Sequence, residues 1–537
     1  MVKIMRRREF VARSGFLAGV ATLLPRMLSA KKQLDASARD DAAPETPSIF
    51  FQTTDPTLQS CYESALKLLA ANVQLLPGYH NPVLIEGSVY RGIWLECAPH
   101  EGLVYSAIRP DIACNNHLAF FELQGADGQI PCNVKVDDIG HGQIQMVVPI
   151  AATAWELSQQ TRDSQLLEAA YASCSRWDAW LRRYRDTRHT GLCEGFCTYD
   201  TGHDNSPRWA GIPNSCPDGD ARRCPPVPSL PRLCPDLSAT VYGGRIALAA
   251  MAQALGKNSE ADHWLELAAA IRSAILDRLY DATDAAFYDL DAQNHFVRIR
   301  GDVISRVLGE HVVDQELFET IYRRQIHNPS AFWAPYPLPS IALDDPHFVR
   351  PIPRNSWGGA SQALTALRAP RWMEHYNKPA DLAYLMQQWV NAILRAADFR
   401  QQLDPLTGVF TDDPPGYSPA ALVLIDFTWR LAGVRGIGDH LEWNIRPPAT
   451  HTGSIFRLPV TPTLTAEMNY KSGHAELSLN GRQFVKTSSI VRLITTQGGE
   501  LRGAVGIAAQ KSSVVLHQIG APERRFSIEP NSRLKFA

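Results

Sequence analysis

Thr198-Tyr199-Asp200-Thr201-Gly202-His203-Asp204-Asn205-Ser206-Pro207-Arg208-Trp209 is the stretch on which the fold reading turns. Asp204 lies between a glycine and a proline, among hydrogen-bond donors and flat aromatic faces. Such a surround suits the holding of a sugar ring and the tuning of an acid. It equally suits a polar surface loop. The flanking sequence separates the two readings.

Upstream, Leu58, Tyr62, Leu66 and Leu69 mark one face of a helix that ends before Pro77-Gly78. Residues 84–92 read as a short strand or loop feeding Trp94, 112–123 as a short helix, and 146–160 with 166–184 as a helical pair. Downstream, helices resume in pairs at 239–255 with 261–279 and at 302–308 with 314–325. A third group follows at 359–367, 379–397 and 417–431. Alanine spacing such as Ala247, Ala250 and Ala254 permits close helix approach. Roughly a dozen helices without strand–helix alternation exclude a doubly wound or (β/α)8 fold and fit a barrel of helical hairpins. Its connecting loops at one end would gather the polar and aromatic residues. From about residue 445 the texture changes to alternating runs such as Leu464-Thr-Ala-Glu-Met and Ile490-Val-Arg-Leu-Ile, punctuated by Asn480-Gly481 and Gly498-Gly499. These predict a small C-terminal all-β, sandwich-like domain over 441–537, after a barrel domain over 51–440.

Composition is that of an ordinary globular protein: 537 residues, 45% hydrophobic and 20% charged, with a net charge of −2 that gives nucleic acid no reason to bind. The N-terminus is more specific. Arg6-Arg7-Arg8-Glu9-Phe10 precedes a weakly apolar run and then Leu28-Ser29-Ala30. This predicts a twin-arginine-type export signal over 1–30, a 31–50 linker, and a periplasmic or extracellular protein without membrane insertion after cleavage. All ten cysteines fall between Cys61 and Cys234, and five crowd the 185–236 loop. Disulfides are expected there, with connectivity open. No Cys-x-x-Cys pair supports zinc, so no metal is expected.

The run Tyr199 to Trp209 resembles the acid-loop signature of glycoside hydrolase family 63 and its mannosylglycerate hydrolase-like and trehalase relatives. That signature is a Glu-Ser-Gly-x-Asp-Asn-Ser-Pro-Arg type run in an (α/α)6 barrel, with Asp200 here where the family usually has Glu. Gln124-Gly-Ala-Asp-Gly-Gln-Ile-Pro131, Arg354-Asn-Ser-Trp357 and Leu403-Asp-Pro-Leu-Thr-Gly408 resemble further segments of these enzymes, in the same order. The resemblance implies a cofactor-free glycosidase that cleaves an α-linked small saccharide with inversion. One carboxylic acid would protonate the leaving oxygen while a second carboxylate activates water across the pocket.

By that resemblance Asp204 is the general acid, and Asp200 is a like charge available to raise its pKa. The base position is occupied by Gln401, and an amide cannot accept a proton near neutral pH. Asp412, Asp413, Asp398, Glu96 and Glu101 are the carboxylates left as candidates, the last two in a stretch, Trp94 to Glu101, that the resemblance makes a substrate-contacting loop. The alternatives are a shifted alignment, a catalytically silent carbohydrate-binding barrel, or a helical-barrel lyase or epimerase, for which no Tyr/His or paired-His site stands out. Expected substrate contacts are Trp94, Asp200, His203, Asn205, Arg208, Trp209, Trp333, Tyr336, Arg354, Trp357 and Gln401.

Overall fold

Capping chemistry starts the hairpins. Asp55 accepts from the backbone N–H groups of Thr57 and Leu58, with Pro56 in the first turn, and opens Pro56–Ala71. Asp163 does the same for Ser164–Tyr184, directly after left-handed Arg162 has ended Ile150–Thr161. The structure, a computed structural model, describes residues 49–448 and 452–536; the predicted export signal and nearly all of the linker lie outside them.

Among the described residues there are twelve α-helices. Six of them, Ala98–Tyr105, Ile150–Thr161, Pro235–Ala254, Val303–Gly309, Ala363–Met373 and Ser418–Ala432, each pack on the next, and the last returns to the first. This closes an inner ring. Pro56–Ala71, Pro110–Glu122, Ser164–Tyr184, Asn258–Arg278, Gln315–Ile321 and Pro379–Ala396 alternate with them along the chain and form the outer layer. The protein is an (α/α)6 barrel. Inner helices are buried on nearly every face, Ala98–Tyr105 at all positions but Val104. A helix buried all round carries no amphipathic period, and the loop expected over 94–101 is helical from Ala98 onward.

The C-terminal part is all antiparallel. One seven-stranded sheet runs from Phe50–Thr53 through Ser454–Thr461 to Arg524–Ile528, and a five-stranded sheet is built around His440–Ile445 and Val491–Thr496. Phe50–Thr53 pairs in register with 454–457, so a strand that precedes the barrel completes the sheet that follows it. Asn480 and Gly481 both take positive φ, as a two-residue hairpin turn of this type requires.

The cysteine-rich loop corrects one expectation. All ten cysteines are free, and the Cys197 and Cys216 Sγ atoms, in hydrogen-bonding contact, stand 3.8 Å apart, well beyond a disulfide bond. The loop is braced instead by a fully buried Arg185–Asp200 ion pair and by backbone bonds from Thr198 and Tyr199 to Pro213 and Asn214. No helix among the described residues is long and apolar enough to cross a membrane.

Candidate active site

The loops that enter the inner helices meet at one end of the barrel. Glu86, Tyr90, Trp94 and Glu96 precede Ala98–Tyr105, Asp204 precedes Pro235–Ala254, and Asp302 caps Val303–Gly309. Asn355 and Trp357 precede Ala363–Met373, and Gln401 and Asp413 precede Ser418–Ala432. Cross-loop bonds tie them together: Trp357 N–H to Asp204 O at 3.0 Å, Met146 N–H to Asp200 O at 3.0 Å, and Ser418 N–H to Glu86 O at 2.8 Å.

Asp204 is half-buried, and its Oδ2 accepts from Asn355 Nδ2 at 3.1 Å. Burial lifts its carboxyl to about 6, against the opposing pull of the Asn355 bond. Asp200 does not contribute to that shift. It is fully buried and accepts from Arg185, Ile144 N–H and Phe196 N–H, which makes it the anchor of the loop and removes it from substrate contact.

Three further predicted substrate contacts are structural for the same reason. His203 is buried with both ring nitrogens engaged, Nδ1 with Arg208 Nη1 at 2.9 Å and Nε2 with Asp302 Oδ1 at 2.7 Å. An arginine donates only, so Nδ1 is the acceptor and the Nε2–H donates to Asp302. Burial and the neighbouring Arg306 depress the His203 pKa to about 4, consistent with that neutral tautomer. Arg208 is clamped between Asp236 and Asp289, with bonds of 2.6–2.8 Å. Trp209 is buried and donates Nε1–H to Thr201 Oγ1 at 2.8 Å. Asn205 alone of this group faces outward, at φ +55°, with its amide on Asn355 O at 2.7 Å.

Gln401, expected at the base position, is wired to Asp204 through Asn355. Its Oε1 accepts from Tyr90 OH at 3.0 Å and its Nε2 donates to Asn355 Oδ1 at 3.0 Å, while Asn355 donates on to Asp204. Of the candidate carboxylates, Asp412 is exposed and Asp398 is paired with Arg400 at 2.8 Å. Asp413 is buried and accepts from Asn355 N–H at 2.9 Å and from Thr411. Glu101 is completely buried with the Cys97 thiol against its carboxylate, and lies in a helix where a loop had been expected. Glu96 is different. Its carboxylate packs on Gly202, two residues before Asp204, where φ is +61° and any Cβ would overlap it. Burial lifts Glu96 to about 7, Arg368 and Arg306 pull it down, and the Asp204 charge pushes it up, which places Glu96 within the field of Asp204.

Trp357 is buried against His203 and under Arg306, whereas Trp94 is half-buried, edge-on to Tyr90. Arg354 is exposed beside Asn355. Trp333 and Tyr336 pack toward Pro379–Ala396 through Tyr384 and Arg395, and neither is brought to Asp204 by a described contact. The residues that sequence reasoning missed are Asn355, Tyr90 and Glu86. Asn355 sat inside the quoted Arg354–Trp357 motif, unweighed. Glu86, buried and hydrogen-bonded by Tyr417 OH at 2.7 Å, is lifted well above the usual carboxylate range by burial and then by Glu101 and Glu96. Two buried groups have ligand types suited to a metal, Cys197/Asp200/Cys216 and Cys234/Asp236/Asp289, but Arg185 and Arg208 already neutralise their carboxylates.

The family model of the mannosylglycerate hydrolase MGH1-like glycoside hydrolase domain matches residues 90–418, which hold every residue of the pocket but Glu86. A search of curated proteins gives no match. Among solved structures, the mannosylglycerate hydrolase from Thermus thermophilus in complex with Tris is similar at TM-score 0.56 and 17% identity, covering 68% of this chain and 100% of that one. Neutral trehalase from Saccharomyces cerevisiae follows at TM-score 0.52 and 13% identity, over 68% and 80%. A rhamnosidase of a Bacillus species gives TM-score 0.55 and 11% identity, over 81% and 42%. At these identities the structures speak for the fold, and the family match goes further: the chain belongs to the MGH1-like family of glycoside hydrolases.

Proposed function

We propose that the protein hydrolyses an α-linked small saccharide or glycoside with inversion, Asp204 acting as general acid and Glu96 as the carboxylate that activates water. The observation that carries this is the Asp204 environment: a half-buried carboxyl raised to about 6 and held by one amide donor, on a loop whose other charged groups are locked in ion pairs. An acid near that value is protonated often enough at mildly acidic pH to give its proton to a leaving oxygen. Glu96 is the partner because it is the one candidate that packs on the acid loop itself. Glu101 and Glu86 are sealed, and Asp398 is neutralised by Arg400.

The chemistry then runs in one displacement. Asp204 gives its proton to the glycosidic oxygen as that bond breaks, and Glu96 takes a proton from the attacking water. The sugar leaves with inverted configuration. Trp94, Tyr90 and exposed Asn205 and Arg354 are the groups placed to meet the ring and its hydroxyls. The substrate class follows the relatives, which include enzymes named for mannosylglycerate and trehalose.

The test is a panel of aryl α-glucosides, aryl α-mannosides and α-linked disaccharides, with wild type, D204N and E96Q. D204N is expected to spare binding and lose turnover. E96Q is expected to lose turnover and regain it with sodium azide, because an anionic nucleophile needs no base, and to yield the β-glycosyl azide. A silent wild type across the whole panel would overturn the hydrolase in favour of a carbohydrate-binding barrel. Rescue by azide of D413N, with E96Q near wild type, would move the base to Asp413. We further propose export by the twin-arginine route, supported by Arg7-Arg8, the spacer Glu9, Phe10 and the apolar run after them. Replacing both arginines by lysine should leave the protein in the cytosolic fraction, and unchanged export would refute it.

A further inference from the structure

Inside the barrel, below the acid loop, the inner helices enclose a small cavity lined by Asp302, Ser305, Arg306, Glu310, Arg368 and Arg371, among others. Its charges are unevenly matched. Arg371 Nη1 is bonded to Glu156 at 2.9 Å, and Arg306 is held by Asp302 at 3.3 Å and Asp236 at 3.6 Å. Arg368 is buried and forms no ion pair with any described carboxylate; its one bond is from Nη2 to the backbone oxygen of Glu96 at 3.1 Å. Arg368 Nε and Arg306 Nη2 are both buried without a hydrogen-bond partner. An arginine cannot shed its charge to escape burial, as a carboxylic acid or histidine can. A buried cation with idle donors, next to a second arginine, therefore calls for a negative counter-group.

The geometry points to a binding site for one small monovalent inorganic anion, of the size of chloride or bromide, held between the guanidinium groups of Arg306 and Arg368. Burial and the neighbouring Arg306 depress the Arg368 pKa, and Glu96 and Asp302 pull it up only from beyond ion-pair distance. The facing carboxyl, Glu310, is lifted to about 7 by burial and lies nearest in charge to Arg371, so it does not serve Arg368 first. The site bears on the loop above it. Arg306 Nη1 holds Thr201 O in the acid loop at 2.6 Å, and Arg368 holds Glu96 O, so an anion that fixes both guanidiniums fixes both walls of the pocket.

The site rests on the cavity and not on the chemistry assigned to Asp204, so its test needs no substrate. Full-length protein is unfolded thermally at constant ionic strength while gluconate is replaced by chloride or bromide, and crystals grown in bromide are measured at the bromine edge. The expected results are a saturable rise in Tm of about 2 °C or more and an anomalous peak between Arg306 and Arg368. R368M should lose both; if it fails to fold, the wild-type peak alone decides. Solvent density without anomalous signal between the two arginines, or bromide peaks at surface positions only, would overturn the site.

Discussion

The acid loop, residues 198–209, and the facing segment, residues 399–413, both reach Asp204, and they are held by different forces. On the acid loop Asp200 and Arg208 are spent in ion pairs, with Arg185 and with Asp236 and Asp289, and neutral His203 in a hydrogen bond to Asp302. The facing segment meets Asp204 through amides, Gln401 to Asn355 to Asp204, with no net charge along that route. Buried ion pairs fix geometry at the cost of desolvation, and they leave no group free for chemistry. Amides orient without titrating. The comparison teaches that the one side chain on the loop free to titrate in the working range is the one left out of the ion pairs; the carboxylate proposed as its partner, Glu96, stands on a third loop.

Breaking the first kind of support gives the largest effect. R208M strands Asp236, which burial pushes up and Arg208 holds down at about 2, together with Asp289. Loss of about 3–5 kcal/mol of stability is expected, read in chemical denaturation; a loss below about 1 kcal/mol would show that the loop does not hang on this clamp. D204N leaves the clamp intact and removes the proton donor. It should lower kcat by about 10²–10⁴-fold with Tm nearly unchanged.

The pH dependence follows from the same pair. The productive form needs Asp204 protonated and Glu96 ionised, and with values of about 6 and about 7 that form peaks between them. A bell-shaped kcat/KM with its maximum between about pH 6 and 7 is the expected profile. For stability the sign is separate. His203, depressed to about 4, stabilises the fold above its unfolded value of about 6.5, and that contribution is lost as pH falls from there toward 4. H203Q should flatten that part of the acid-unfolding curve.

Q401E probes the amide wall. If Gln401 merely orients Asn355, a carboxylate there changes kcat by less than about tenfold. A larger gain would show that the wall had lost a base that the enzyme still needs. The smallest effect belongs to Asp412, exposed at the rim: D412N should stay within about 0.5 kcal/mol in stability and near wild type in rate.

Much of this was legible in the sequence. Helical periodicity and the breaks between segments located eleven of the twelve helices closely enough to count hairpins, and Asn480-Gly481 marked its turn. Ala98–Tyr105 was not legible, because a helix enclosed on all sides shows no polar face. At the site, the Asp204 motif could be read, but the roles of its neighbours could not. Asp200, His203 and Arg208 have the residue types of substrate ligands, and only their partners, Arg185, Asp302, Asp236 and Asp289, which lie 15, 99, 28 and 81 residues away, show them to be scaffold. The cysteine pattern misled for a related reason: density along the chain does not set Sγ geometry. Glu96 was named for its motif context, and what singles it out is Gly202, whose missing side chain lets the two acids approach.

The most direct test of the central claim is the configuration of the first product released from α-glucosyl and α-mannosyl fluoride, followed by proton NMR before mutarotation. One displacement by water, with Asp204 and Glu96 on opposite duties, predicts the β-anomer first. Release of the α-anomer first would contradict it.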